Sequence, residues 1–341
     1  MRAKSGTFLI GFLLFALLGL CLLRTQSINA DNFSHSPSLA EIPFLSEAAD
    51  ESVLGVFEGI TPCNPLDSPF PQISENTNCE QMIWKLTLYH EAITGNPTTY
   101  QLNSAYGLSQ QGTSGLQGGG TQLNLEGKWA KTQGAKADPL AVIYQLNPDD
   151  PSSVINFIKL DDPILHLLTQ DMSLMVGNAA WSYTLNRTDE TIVTDPSAAG
   201  IASPATPSLA SAAFTSGVFE GRTPCVETVM AFHDVSATAC QRVKLRLTLH
   251  QPTESDEPAR YELLSIYVGT GDTQYRISGH WTILQGSATN PEAFVYQLDT
   301  DDAQQPLFFL KADDNHLFLL DNDLNFMVGD ALLSFTLSRA D

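Results

Sequence analysis

The sequence is short of bases. Seventeen Lys and Arg face 38 Asp and Glu, a formal net charge of -21. A nucleic-acid-binding role is excluded on that balance, because phosphate neutralisation needs a cationic face. It also lacks several catalytic signatures. There is no Gly-x-Ser-x-Gly elbow, no His-Glu-x-x-His, and the Gly-rich tract 110–121 is not followed by Gly-Lys-Ser/Thr, since Gly127-Lys128-Trp129 takes that place. No long segment has helical periodicity, and beyond the N-terminus no apolar stretch approaches membrane-spanning length. Disorder throughout is excluded in turn, because 43% of the 341 residues are apolar, enough for the cores of about two domains.

The one long apolar run is N-terminal. Arg2 and Lys4 precede 16 residues, Phe8 to Leu23, that are all apolar or Gly. Ile28-Asn29-Ala30 then offers a cleavage site, so residues 1–30 are expected to be a signal peptide. Retention as an anchor and lipidation of Cys21 are the alternatives, the latter opposed by Leu20 where a lipobox carries a small residue. A chain starting at Asp31 has 14 bases and 38 acids, net 14 − 38 = -24. The expected location is exported, in the periplasm or associated with the cell envelope, touching the membrane only through the N-terminal segment if that is kept.

The remainder of the chain is a duplication. Gly55-Val56-Phe57-Glu58-Gly59-Ile60-Thr61-Pro62-Cys63 recurs as Gly217-Val218-Phe219-Glu220-Gly221-Arg222-Thr223-Pro224-Cys225, an offset of 162. Leu86-Thr87-Leu88 recurs at 247–249, offset 161, and Tyr144-Gln145-Leu146 at 296–298, offset 152. Leu-Met-Val-Gly at 174–177 returns as Phe-Met-Val-Gly at 326–329, and Arg187 pairs with Arg339. The nine-residue fall in offset maps to the tract 110–121. Domains are therefore expected at 51–187 and 215–341, after a leader at 31–50, with a flexible linker at 188–214 that carries Pro196, Pro204 and Pro207. Each repeat is expected to fold by itself.

Within each repeat the periodicity is that of strands. In 243–250 Leu245, Leu247 and Leu249 alternate with Lys244, Arg246 and Thr248, and the first copy turns Trp84, Leu86 and Leu88 inward in the same way. Further strands are expected at 100–106, 123–131, 141–146, 155–160, 164–168 and 180–185, with breaks such as Asn147-Pro148-Asp149-Asp150 between them. About eight short strands in such a length suit an all-β fold of two tandem antiparallel, lipocalin-like barrels, with β-sandwiches as the alternative.

Four cysteines lie beyond the N-terminal segment. Cys63 and Cys79 enclose 15 residues, and Cys225 and Cys240 enclose 14. In an exported chain they are expected to form two disulfides, one per repeat. The stapled loops, unlike in content, could carry specificity or serve as lids on the barrels.

The Gly-Val-Phe-Glu-Gly-x-Thr-Pro-Cys entry strand, the Leu-Thr-Leu strand, Gly-x-Trp (Gly127 and Trp129, Gly279 and Trp281), Tyr-x-Leu and the Leu-Leu-Asp-x-Asp turn at 319–323 resemble the N-terminal domain of NlpE-type envelope lipoproteins. The resemblance spans 53–187 and 215–339. It implies a lipocalin-like barrel in the cell envelope, associated with copper resistance and with sensing of surface contact and envelope stress. The sequence departs from that family at its Cys-x-x-Cys pair: Cys63 is followed by Asn64-Pro65-Leu66 and Cys225 by Val226-Glu227-Thr228.

Candidate chemistry is sparse. Met230 with His233 is the one soft metal set beside a Cys, and the first copy has no equivalent. Asp321, Asp323 and Asn325 have the spacing that starts a calcium loop but lack its Gly and closing Glu, so a hairpin turn is expected. Glu58 and Glu220 are expected to bond at the barrel rim, and His90 and His250 to face solvent. The expectation is a non-catalytic envelope protein without a cofactor, acting in interaction or stress sensing with a link to copper resistance. Its partner would be an envelope protein or, in the alternative, a small apolar ligand carried inside a barrel.

Overall fold

A computed structural model describes residues 51–63, 70, 73–74, 76–136, 138–189, 216–225, 240–250, 259–269, 271–299 and 305–341. Among them are sixteen strands and one 3-10 turn, Gln117–Gly119. The first eight are β1 Glu51–Pro62, β2 Gln81–Glu91, β3 Pro97–Gly107, β4 Thr121–Gln133, β5 Val142–Leu146, β6 Ile155–Asp161, β7 Ile164–Leu168 and β8 Thr184–Arg187. The second eight are β9 Gly217–Thr223, β10 Arg242–His250, β11 Arg260–Val268, β12 Thr273–Gln285, β13 Phe294–Leu298, β14 Leu307–Lys311, β15 His316–Leu320 and β16 Thr336–Arg339. Each set is an antiparallel meander closed on itself, so both are barrels and the sandwich alternative falls away. Closure is by β8 on β1 (Phe57 opposite Arg187) and by β16 on β9 (Phe219 opposite Arg339).

The period-2 pattern decides which side chains fill the barrels. Trp84, Leu86 and Leu88 are buried in the first, and Leu245, Leu247 and Leu249 in the second, each within a single apolar cluster. The repeated motifs have local reasons. Gly127 and Gly279 lie against the rings of Tyr100 and Tyr261, where a Cβ would sit 3.0 Å from the ring edge. Trp129 and Trp281 pack at a tilt against Tyr144 and Tyr296, ring centroids 4.9 and 4.7 Å apart. The indole N–H of Trp84 donates to Thr61 of the entry motif at 2.8 Å.

A third apolar cluster lies outside both barrels. The outward faces of β5, β6 and β7 bury Ile143, Ile158, Ile164 and Leu168 against Val295, Leu310, Phe318 and Leu320 from β13, β14 and β15. Strands β7 and β15 are buried at all five positions each, on both faces. The two barrels belong to one compact unit. Against the expectation that each repeat folds by itself, the two barrels share this apolar core. Thr188 and Asp189, placed at the start of that linker, still pair with the first barrel through Val56 and Arg187. The rest of 188–214 lies outside the described residues.

Polar contacts show the symmetry of this junction. Ser182 meets Ser334 at 2.7 Å and Thr184 meets Thr336 at 2.8 Å, each residue touching its own counterpart 152 positions on. The Gly329 N–H donates to Asn186 and the Gly177 N–H to Ser338, an exchanged pair at the same offset. A residue meeting its own equivalent is the mark of an isologous two-fold contact, here between two halves of one chain. The Met-Val-Gly motif serves it. Gly177 and Gly329 pass so close to the carbonyls of Trp181 and Leu333 that a Cβ would sit 2.4 and 2.0 Å from them. The turns after these glycines are capped by Asn178 and Asp330. They displace the last strand of the first copy: an expected strand at 180–185 is instead β8, starting at Thr184.

Candidate functional site

Both disulfides form as paired in sequence. Cys63–Cys79 and Cys225–Cys240 bridge Cα atoms 5.4 and 6.0 Å apart. In the first loop Phe70, 2% exposed, stacks on Trp84 at 5.1 Å, and Trp84 meets Phe157 edge-on at 6.0 Å. Ile73 is buried beside them. The stapled loop thus turns apolar side chains into the barrel end, which is the work of a lid.

A cleft opens beside it. Strand β4 has thirteen residues, but β5 pairs only with Trp129–Gln133 of it. The first part of β4 has no neighbour from β5, and a cavity of about 390 Å3 lies there. Phe70, Tyr100, Leu125 and Ile155 give it an apolar floor; Glu126, Lys128, Asp149 and Asp150 form the rim. The Tyr100 hydroxyl donates to Asn147 at 3.0 Å, and burial pushes its pKa up. Asn147 adopts a left-handed backbone, φ 53°, which Asn tolerates in a tight turn. Asp150 accepts from the hydroxyls of Ser152 and Ser153 and from the Ser152 N–H, which hold its carboxyl below the ordinary value. Its acceptors are engaged by its own turn, which fixes the carboxylate at the rim.

The other sequence candidates take structural roles. Glu58 and Glu220 face outward and pair with Lys85 and Arg246 at 2.9 and 2.7 Å. Asp321 accepts from the backbone N–H groups of Asp323 and Asn325, so it caps a hairpin turn. His250 is exposed and lies 3.7 Å from Glu262. His90 is a correction: it is buried and contacts Ser52 at 2.9 Å, because the alternation that turns Leu86 and Leu88 inward continues to it. Cys21, Met230 and His233 lie outside the described residues.

Sequence reasoning missed a histidine pair at the barrel junction. His166 and His316, both 0% exposed, sit edge to face at 5.1 Å. Both Nε2 atoms are 3.0 Å from the Met175 carbonyl oxygen. The His166 Nδ1 contacts Thr184 at 2.9 Å, and the His316 Nδ1 contacts Asp313 at 2.8 Å. Burial, reinforced by His316, pushes the His166 pKa down to about 3, so its ring is neutral. Asp313 is held below the ordinary carboxylate value, its hydrogen bond and charge interaction with His316 overcoming desolvation. The signal for this junction is present in the runs 164–168 and 316–320, apolar but for one His each, since strands buried on both faces do not alternate.

The fold and its staples define a class: tandem eight-stranded meander barrels, each with one disulfide after its entry strand. Within that class, residues 236–330 match the NlpE N-terminal domain family. The matched span takes in β10 to β15 of the second barrel. The first barrel repeats the same strand order and carries the same entry, Gly-x-Trp and Tyr-x-Leu motifs, so the chain holds two NlpE-like copies. Comparison with curated proteins and with solved structures gives no match.

Proposed function

We propose that the chain works in the cell envelope as a non-catalytic interaction or stress-sensing protein, exported to an oxidising compartment. The match of residues 236–330 to the NlpE N-terminal domain family carries this reading. The two disulfides support it, because such bonds persist outside the reducing cytosol. Barrel interiors filled by large side chains, Trp84, Phe157 and Tyr100 in the first and Phe309, Tyr261 and Tyr296 in the second, support a rigid platform that presents its outer surface. A role in copper resistance rests on the family alone, since all four described cysteines are oxidised and none forms a close thiol pair.

The test is in cells. The tagged protein should fractionate with the envelope, and its cysteines should resist alkylation unless first reduced. Raising its level should change the output of an envelope-stress reporter. A cytosolic, thiol-reactive protein with no effect on the reporter would overturn the proposal.

A second reading is favoured by one observation. The cleft beside β4 has an apolar floor and, at about 390 Å3, falls in the size range of small-ligand pockets. Displacement of a fluorescent fatty acid, lost in a Leu125→Asp variant, would support a carrier for a small apolar ligand. Absence of any displacement would leave the interaction reading alone.

A further inference from the structure

The second barrel carries a patch that the first does not. On its outer surface β9 presents Glu220 and Arg222, and β10 presents Arg242, Lys244 and Arg246. Arg246 lies opposite Glu220 and pairs with it at 2.7 Å. Two residues along, Arg222 lies opposite Lys244, with Arg242 on the diagonal. Among the described residues no carboxylate pairs with Arg222 or Arg242, in a chain where acids outnumber bases more than two to one. The Nε atoms of both arginines are buried without a hydrogen-bond partner. The guanidinium of Arg222 lies 5.2 Å over the ring of Trp181 from the first barrel. Burial, and then the positive charge of Arg242, lower its pKa. Like charges on neighbouring strand positions cost stability unless something negative joins them.

The first copy shows what an occupied version of this surface looks like. The positions equivalent to Arg222, Arg242 and Lys244 are Ile60, Gln81 and Ile83, at offsets of 162 and 161. There the segment 108–120 folds over the strands: Gln81 donates to the carbonyls of Ser114 and Gly115 and accepts from Ser109. In the second copy β11 and β12 are joined by 269–272 alone, so the deleted nine residues are the cover. The exposed strands instead face a cavity of about 480 Å3 whose other wall is the first barrel, including Gln110, Thr113, Asn178 and Trp181. Glu80 also borders it, and its carboxylate accepts from the Ser109 N–H at 3.0 Å.

We propose that this cleft binds a small oxyanion of the phosphate class, held by the paired guanidiniums of Arg222 and Arg242. Guanidinium forks match tetrahedral oxyanions in geometry as well as charge. The amides of Gln110 and Asn178 and the hydroxyl of Thr113 are suited to the polar remainder of a phosphorylated molecule. Because residues of both barrels line the cleft, its shape depends on their junction.

The probes are inorganic phosphate, glucose 6-phosphate and glucose, titrated into the mature full chain at fixed ionic strength by calorimetry. Phosphate and glucose 6-phosphate should bind at one site per chain and raise the melting temperature; glucose should do neither. Tighter binding of glucose 6-phosphate than of phosphate would identify a phosphorylated molecule as the ligand, and equal binding the free ion; either supports the site. The variant Arg222→Ile with Arg242→Gln installs the residues of the first copy and should weaken binding at least tenfold. Without ligand it should melt no lower than wild type, since it removes a repulsion. Should that pair fail to fold, Arg242→Gln alone should weaken phosphate binding severalfold, and Arg242→Lys should recover part of it. No phosphate-specific binding by wild type, or undiminished binding by a folded variant, would overturn the proposal.

Discussion

Acidification should loosen the junction between the barrels, and His166 sets the magnitude. Its ring is fully buried, faces Thr184, the Met175 carbonyl and His316, and feels the charge of Asp313. The folded pKa is about 3, against 6.5 in the unfolded chain. A base whose pKa is depressed by folding takes up its proton more readily when unfolded, so stability falls as pH drops below 6.5 and goes on falling toward 3. At pH 5 the ring is still neutral in the fold, 1.5 pH units below the unfolded value, which corresponds to a loss of about 2 kcal/mol relative to pH 7.5. Asp313, whose pKa is also lowered, adds a loss only at more acidic pH, below the ordinary carboxylate range. The assay is urea denaturation at a series of pH values on wild type and on His166→Phe. Phe is the residue at the equivalent position of the second copy, Phe318. Wild type should lose about 2 kcal/mol more than the variant between pH 7.5 and pH 5. Parallel pH profiles for the two proteins would refute the assignment of a buried neutral ring.

The same structure sets three further outcomes. Phe318, 2% exposed and packed edge-on to His166 and Phe326, should cost about 3–5 kcal/mol on Phe318→Ala in denaturant titration; a cost under about 1 kcal/mol would mean the junction is not a packed core. Replacing Cys225 and Cys240 together by Ser should remove about 3 kcal/mol, the loop-closure contribution of a staple with a sequence separation of 15, as seen in the same titration. Copper(I) should not survive competition with a chelator at physiological salt, since carboxylates are poor ligands for it, whereas weak copper(II) uptake should fade as salt rises. Stoichiometric copper(I) that disappears in a Met230→Ala, His233→Ala variant would contradict this.

The barrels are legible because a half-buried strand writes its two faces into alternate residues. Leu245, Leu247 and Leu249 announce an interior, and so do the matched cysteine spacings. The junction is harder to see. Ile164 to Leu168 is apolar or His throughout, a pattern that gives no outward face, and by itself it reads as one more barrel strand. Its meaning needs the partner run from His316 to Leu320, 152 residues away. The constancy of that offset from Tyr144 to Arg187 is a clue, because a surface packed against its own copy tolerates no insertion. His90 sits near a strand end, which suggests solvent, although it shares the inward parity of Leu88. The arginine patch is visible only by laying one copy over the other, where Ile60 and Gln81 become Arg222 and Arg242. Neither residue is unusual alone; what distinguishes them is the loss of the segment that covers their counterparts.

The central structural claim is that two NlpE-like barrels are joined through a shared core and do not merely hang on one chain. An engineered protease site placed between 189 and 216 tests it directly. After complete cleavage of the mature protein, the two fragments should co-elute in gel filtration at the size of the intact chain and melt in one transition. Fragments that elute separately, each with its own cooperative melt, would contradict the account.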